Sequence, residues 1–252
     1  MKKKRIGMTK KKIPTTAILD GDIIAYKAAF WADTEGVDGL DYRLPEDIEK
    51  WTPEGIDTII IAFSCNRKDN FRRDHWADYK KKRDSSDRPD TLQECKDYMS
   101  DRWDIILEPR LEADDLIGIY TSSEEMVGVT IDKDLKTIPG FHWNPDKDDA
   151  IRYLTEEEAD KFLFIQWMAG DSTDSIPGLW RIGPKRADKF LNKWEKETWV
   201  QMIFDMYDDP KYYRDSIPNL ALAMARSVRI LRSGEYNFKT KEINLWMPDS
   251  WV

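Results

Sequence analysis

The chain has little of what disulfide frameworks and structural zinc sites are made from. Its 252 residues include two cysteines, Cys65 and Cys95, in no C-x-x-C pairing, and two histidines, His75 and His142. That scarcity argues against a cystine scaffold and a zinc finger alike, and reduced thiols fit a cytoplasmic compartment. No apolar run approaches ~18 residues, so no membrane span is expected. The start, MKKKRIGMTKKK, is basic but lacks the apolar segment of a secretory signal. Internal repeats are absent too, and the basic tip is the one low-complexity stretch.

What the sequence does have is charge. Thirty-five percent of residues are charged, against 40% hydrophobic and 12% aromatic, which describes a globular chain with a strongly solvated surface. The net charge of −8 hides an asymmetry: residues 1–12 carry seven basic groups and no acid, leaving −15 on the remainder. An acidic body ordinarily argues against nucleic-acid binding. The exception is a protein that collects carboxylates around metal ions and keeps its basic groups in local patches. Residues 67–88 are such a patch, with nine Lys/Arg against five Asp.

Hydrophobic patterning divides the chain. TTAILDGD (15–22) reads as a buried strand ending at Asp20, followed by helical spacing in DIIAYKAAF. DTIIIAFS (57–64), WDIILEPR (103–110) and MVGVTID (126–132) read as further strands, the first of them unbroken and β-branched as a doubly covered parallel strand should be. EADDLIGIYTSS intervenes as a helix. The alternation predicts an α/β core over residues 15–150 with a largely parallel sheet. After about residue 150 the strands are expected to stop. Thr155 and Glu158 stand at capping-box spacing before a helix that closes at Gly170. Residues 151–252 are read as a mainly helical part with an extended or hairpin tail at EYNFKTKEINLW, and residues 1–14 as a flexible basic tip.

Ligands of an open parallel sheet sit beyond the carboxyl ends of its strands. Asp20 ends the first strand; Glu112, Asp114 and Asp115 lie past the third, and Asp132 and Asp134 past the fourth. Asp171 and Asp174, at i, i+3, share a direction if their turn is helical. Carboxylates crowded in this way repel, and burying them is costly unless cations sit between them. Hard oxygen donors with almost no histidine favour Mg²⁺, with Mn²⁺ as a substitute, and two such ions roughly 4 Å apart suit phosphodiester hydrolysis. A single D-x-D is more often a cap or a solvated loop, and DKDD (146–149) and DD (208–209) are read so. Four clusters are harder to dismiss.

ILDGD, FRRDHWADYKKKR, LEADDLIG, TIDKDLKTIPG and GDSTDSIPGLWRIGPKRADKFL occur in an order that resembles the phage branch of the 5′-nuclease family, from about residue 15 to the end. These are 5′→3′ exonucleases and flap endonucleases related to the nuclease domain of bacterial DNA polymerase I. The resemblance implies a PIN-like, mostly parallel sheet with a helical arch (about 66–100) and a C-terminal helix–three-turn–helix region. It implies metal-site roles for Asp20, Glu112, Asp114, Asp115, Asp132, Asp134, Asp171 and Asp174. It places Lys80 and Arg83 over the scissile phosphate, where a fixed cation stabilises developing charge. Arg72, Arg73 and Tyr79 in the arch, with Gly178, Gly183, Lys185 and Arg186 in the hairpin, are the expected DNA contacts. A K⁺ ion in that hairpin is also implied. The partner it implies is DNA with a 5′ end or flap, or an RNA–DNA hybrid, acted on by a monomer in phage-type replication.

Two departures stand out. The second strand ends AFSCN, where most relatives carry another metal-binding Asp near Ser64, and the hairpin reads RIG, with Arg181 where G-x-G is common. Cys65 is the equivalent position if the strand ends one residue later, and Asp22 is a neighbour able to supply the lost charge. A PIN-like RNA endonuclease and a non-catalytic DNA-structure-binding protein are the rival readings.

Overall fold

Five of the apolar runs pair side by side and a sixth turns back along them, giving one sheet in the order β3-β2-β1-β4-β5-β6. The structure, a computed structural model, describes residues 11–85, 88–213 and 219–248. The strands are β1 (Thr16–Asp20), β2 (Thr58–Phe63), β3 (Ile105–Leu107), β4 (Val127–Val129), β5 (Gly140–Trp143) and β6 (Arg152–Leu154). All neighbours run parallel except β5 with β6. The expected mostly parallel sheet flanked by helices is thus present. The last two strands were not foreseen, and β6 breaks the expectation that strands stop near residue 150. Gly-Phe-His-Trp and Arg-Tyr-Leu are too short and too mixed to show a period of two.

Side chains alternate across β1, so Ala17 and Leu19 enter one buried layer while Ile18 enters the other. The first layer holds α1 (Gly21–Glu35), α2 (Leu40–Lys50) and α3 (Leu92–Arg102), through residues such as Ala25, Ala28, Leu44 and Met99. The second holds α4 (Ala113–Ser122) and the chain around Ile230 and Leu231. A third cluster, built on Trp167, Phe204, Tyr207 and Met224, joins α5 (Glu156–Ala169), α6 (Pro184–Leu191), α7 (Trp199–Asp208) and α8 (Leu220–Val228). The foreseen capping box is formed: Thr155 Oγ1 accepts the Glu158 N–H and Glu158 accepts the Thr155 N–H. Two-residue ribbons pair β7 (Gly170–Asp171) with β8 (Ile176–Pro177), and β9 (Tyr236–Asn237) with β10 (Glu242–Ile243), the tail hairpin. No helix among the described residues is long and apolar enough to cross a membrane.

The arch segment is a series of 3-10 turns, Arg67–Asp69, Phe71–Asp74 and Lys81–Ser85, that leads to α3. Asn66 and Asn70 explain the broken form: each side chain caps its own turn, accepting from Lys68 and Arg72 N–H, and such local bonds compete with a continuous helix. The end of the arch is tied to α1, where Asp33 accepts the N–H groups of Asp90 and Thr91. Residues 1–10 of the basic tip lie outside the described residues. Lys11 pairs with Glu124.

The order of the sheet reverses between β1 and β4, which is where an open sheet forms its ligand crevice. Gly21 brings α1 onto β2 at that point. A Cβ there would stand 2.8 Å from the Ala62 carbonyl oxygen and 2.4 Å from Ile61 Cγ2. Gly21→Ala is therefore expected to destabilise by about 1–3 kcal/mol through overpacking, despite alanine's better helix propensity. Thermal melting checks this, and an unchanged or raised midpoint contradicts it.

Candidate active site

At the carboxyl edge of the sheet, Asp20 caps α1 by accepting the Ile23 N–H at 3.2 Å, and its second oxygen accepts the Thr130 hydroxyl at 2.9 Å. Thr130 Oγ1 in turn accepts the Asp132 N–H at 3.1 Å, so one hydroxyl links the ends of β1 and β4. Asp132 accepts the Asp134 N–H and caps the following turn. Asp171 does the same for Thr173 and Asp174. A cleft of about 700 Å³ opens here, lined by the acids Asp20, Asp22, Asp114 and Asp132 and by the cations Lys80, Arg83 and Lys96. A smaller cavity of about 30 Å³ lies behind it, between Glu112, Asp114, Asp134, Asp171 and Asp174.

Burial and mutual repulsion set the protonation of these groups. Burial first, then Asp22, raises Asp20 to about 7 against the bonds from Ile23 and Thr130. Burial and the charge of Asp132 raise Asp134 to about 6. Asp114 is pushed well up by burial, Asp20 and Asp132, and Asp174 is raised by burial even with Lys80 and Arg83 beside it. Glu112 goes the other way. Burial would raise it, but Lys80 and Arg72 outweigh that and hold it at about 2.

Most of the expected metal acids therefore share one edge and two adjoining cavities. Among the described residues, no three of them are gathered as a ready-made metal site. Cations and an amide engage them instead: Lys80 Nζ is 2.6 Å from Glu112 and 3.8 Å from Asp174, Arg83 is 2.7 Å from Asp174, and Gln166 Nε2 donates to Asp134 at 2.6 Å. The donor set fits divalent ions all the same. It is all hard oxygen, and several carboxyls are raised by burial and neighbouring charge, a penalty that a cation would offset.

Three expectations are corrected. Asp115 is 0% exposed and saturated, accepting two bonds from Arg72 and one each from the Leu231 and Glu112 N–H groups. It anchors the fold and has no lone pair to offer a metal. Arg72 is correspondingly 2% exposed, bound to Asp115 and to the Arg229 carbonyl, so its guanidinium is not presented at the surface. Tyr79 is buried as well, its hydroxyl donating to Glu112 at 2.7 Å. Its role is to orient that acid.

In the hairpin, Lys185 and Arg186 are exposed on the first turn of α6, and a Cβ on Gly183 would meet open space. Gly178 has a packing duty, since its Cβ would lie 2.2 Å from the Ala169 backbone. Arg181 takes the left-handed conformation, φ 61°, that glycine adopts at low cost. Arg73 is half-buried. At the second departure, Ser64 Oγ accepts the Ala113 N–H at 2.9 Å while its own N–H donates to Asp22 at 3.0 Å. Asp22 does stand beside Ser64, paired with Lys96. Cys65 instead bonds back to Leu111 and Asn66, and burial pushes its thiol up to about 12.

The exonuclease of Escherichia phage T7 is 30% identical over 224 residues, spanning 75% of this chain and 74% of that protein. The chain belongs to the 5′-nuclease family. The exodeoxyribonuclease of Enterobacteria phage T3 is 28% identical over 226 residues, covering 76% and 74%, and the flap endonuclease Xni of Shewanella sediminis is 27% identical over 193 residues, covering 70% and 76%. No family model matches. Two structures from phage T5 share the fold: its 5′-exonuclease with zinc (TM-score 0.62, 13% identity, 84% of this chain and 89% of that one) and its D15 protein with metal ions (TM-score 0.64, 14%, 84% and 88%). This nuclease's Thr130, Lys96 and Gln166 were not singled out in the sequence. A glutamine on the apolar face of α5, between Leu163 and Trp167, was the readable signal for the last.

Breaking the Arg72–Asp115 pair strands a buried charge, so Arg72→Met should destabilise by about 3–5 kcal/mol, with much of the loss recovered in Arg72→Met/Asp115→Leu. Urea unfolding of both variants checks this; a double variant no more stable than the single one contradicts it. The raised acids give a pH dependence. Asp20 and Asp134 move from 3.8 unfolded to about 7 and about 6 folded, so the folded nuclease holds more protons across that window and loses stability as pH rises through it. Glu112, lowered to about 2, acts with the opposite sign only below its unfolded 4.5. In chelator, the melting midpoint should fall from pH 4.5 to 7.5 and fall less in Asp20→Asn. An equal slope in both proteins contradicts the assignment.

Proposed function

We propose that this nuclease hydrolyses phosphodiester bonds at DNA 5′ ends, flaps and RNA primers in phage-type replication, acting as a monomer with two Mg²⁺ ions. The observation that carries the reading is the cleft where buried and half-buried, mutually repelling acids at the end of β1, after β4 and at the start of α4 share one wall with Lys80 and Arg83. Asp20, Glu112, Asp114 and Asp132 would hold one ion, and Asp134, Asp171 and Asp174 the other, with Mn²⁺ able to replace either. Bound there, the ions supply an activated water and charge stabilisation for an in-line displacement. A flap endonuclease of the same fold, D15 of phage T5, has been crystallised in complex with DNA and metal ions, which supports DNA as the partner.

The chain's own residues do the rest. Lys80, buried against Glu112 and close to Asp174, is a fixed ammonium at the point where charge grows on the phosphorus oxygens. Arg83 approaches from the same segment. The exposed cations of α6, Lys185 and Arg186, with the amides of its first turn, would grip duplex phosphates away from the cut. A K⁺ ion in the hairpin belongs to this proposal in a reduced role, because Arg181 already places a positive charge on that turn. Both rival readings fit less well: a non-catalytic binder needs no repelling acids, and an RNA endonuclease needs no α6 grip.

The test is divalent-dependent release of nucleotides from a 5′-labelled duplex and from a flap, beside single-stranded RNA. Asp132→Asn should abolish hydrolysis with DNA affinity equal or tighter, and turnover at the wild-type rate overturns the site. Lys80→Ala should cut single-turnover rate about 100- to 1000-fold with little loss of affinity. Lys185→Ala should weaken binding and soften its salt dependence. Identical behaviour of the two lysine variants contradicts the division of labour. Ser64→Asp should lower the Mg²⁺ needed for half-maximal cleavage, provided Asp22 does not already supply that charge.

A further inference from the structure

Gln166 lies on the buried face of α5, 9% exposed, where its neighbours Leu163 and Trp167 are apolar. A polar side chain in that place needs a partner at both ends of its amide. One end has it: Nε2 donates to Asp134 Oδ1 at 2.6 Å. At the other end Oε1 is buried with no hydrogen-bond partner. Leaving an amide oxygen in that condition costs about 1–3 kcal/mol, and buried polar atoms in native proteins are seldom left so. Turned over, the amide would give up its bond to Asp134 and leave Nε2 as the orphan instead.

The same side chain lines the cavity of about 30 Å³ between Glu112, Asp114, Asp134, Asp171 and Asp174. That is room for about one or two water-sized particles. Gln166 and five acids thus border a space of ionic size, with Arg72 and Tyr79 also on its wall. A hydroxyl or ammonium ligand would satisfy the oxygen alone. A hard divalent cation satisfies the oxygen and offsets the acids together.

We propose that Gln166 Oε1 is an oxygen donor to the divalent cation of this inner cavity, aimed by the bond from Nε2 to Asp134. The inference rests on the metal-dependent reading above and adds a neutral ligand to it. A neutral donor completes the coordination without adding negative charge to a site that already carries Asp134, Asp171 and Asp174. Its bond to Asp134 also fixes one of those carboxylates, so a single residue both ligates and orients.

The experiment is Mn²⁺ binding to the full chain without DNA, followed by calorimetry and by the spin-resonance signal of free Mn²⁺, alongside melting in chelator. Gln166→Leu should lose about 10- to 100-fold in affinity for one Mn²⁺ and keep the other, while its melting midpoint in chelator stays equal or rises. Gln166→Glu, which keeps an oxygen in place, should bind at least as tightly as wild type. Wild-type affinity for both ions in Gln166→Leu overturns the proposal, as does a midpoint lowered in chelator with affinity intact, which marks a packing role. If wild-type protein binds no Mn²⁺ at all, the metal-dependent reading itself falls, a result distinct from the other two.

Discussion

A buried guanidinium on a buried carboxylate holds this molecule together at its working end. Arg72 comes from the arch segment, Asp115 from α4, and the Arg229 carbonyl and Leu231 amide from the chain after α8, and all four meet at one point. The site is buried, so these groups bond one another and the adjoining Glu112. Remove one and the rest are stranded, which is why three separate stretches of sequence keep a common origin. The acids of the cleft are placed relative to that origin: Glu112 N–H bonds Asp115, and Glu112 then faces Lys80 and Tyr79.

The acids themselves show how a fold tolerates like charges. The acids either face a cation, as Glu112 does, or are pushed towards the protonated form by burial and by one another, as Asp20 and Asp114 are. Both are substitutes of modest quality, because a lysine brings one charge and a proton brings no further coordination. A site balanced in this way would take up divalent ions by exchange, giving up protons and freeing the side chains that had stood in for the metal.

The strand ends were legible because buried parallel strands are written as unbroken β-branched runs, and TIIIAF could hardly be anything else. From there the position of Asp20, Asp114 and Asp132 at one edge follows from topology alone. The arch was less legible. In 3-10 turns, side chains repeat every three residues over runs of three or four, too brief to tell that Arg72 points inward while Arg73 lies half out. Asp114 and Asp115 are adjacent in sequence and face opposite fates, one lining the cleft and one saturated by Arg72. A motif names both; only the rotation of α4 separates them. β5 and β6 were missed for want of length.

The backbone N–H of Lys80 donates to the carbonyl of Asp174 at 2.8 Å, and Lys80 itself sits at φ 52°. The segment that carries the cation is thereby laced to the turn that carries two of the acids. Any movement of that segment away from the turn must break this bond and let Lys80 leave a conformation that side chains seldom hold. Displacing the segment would therefore part Lys80 from Glu112 and Asp174 at the same stroke.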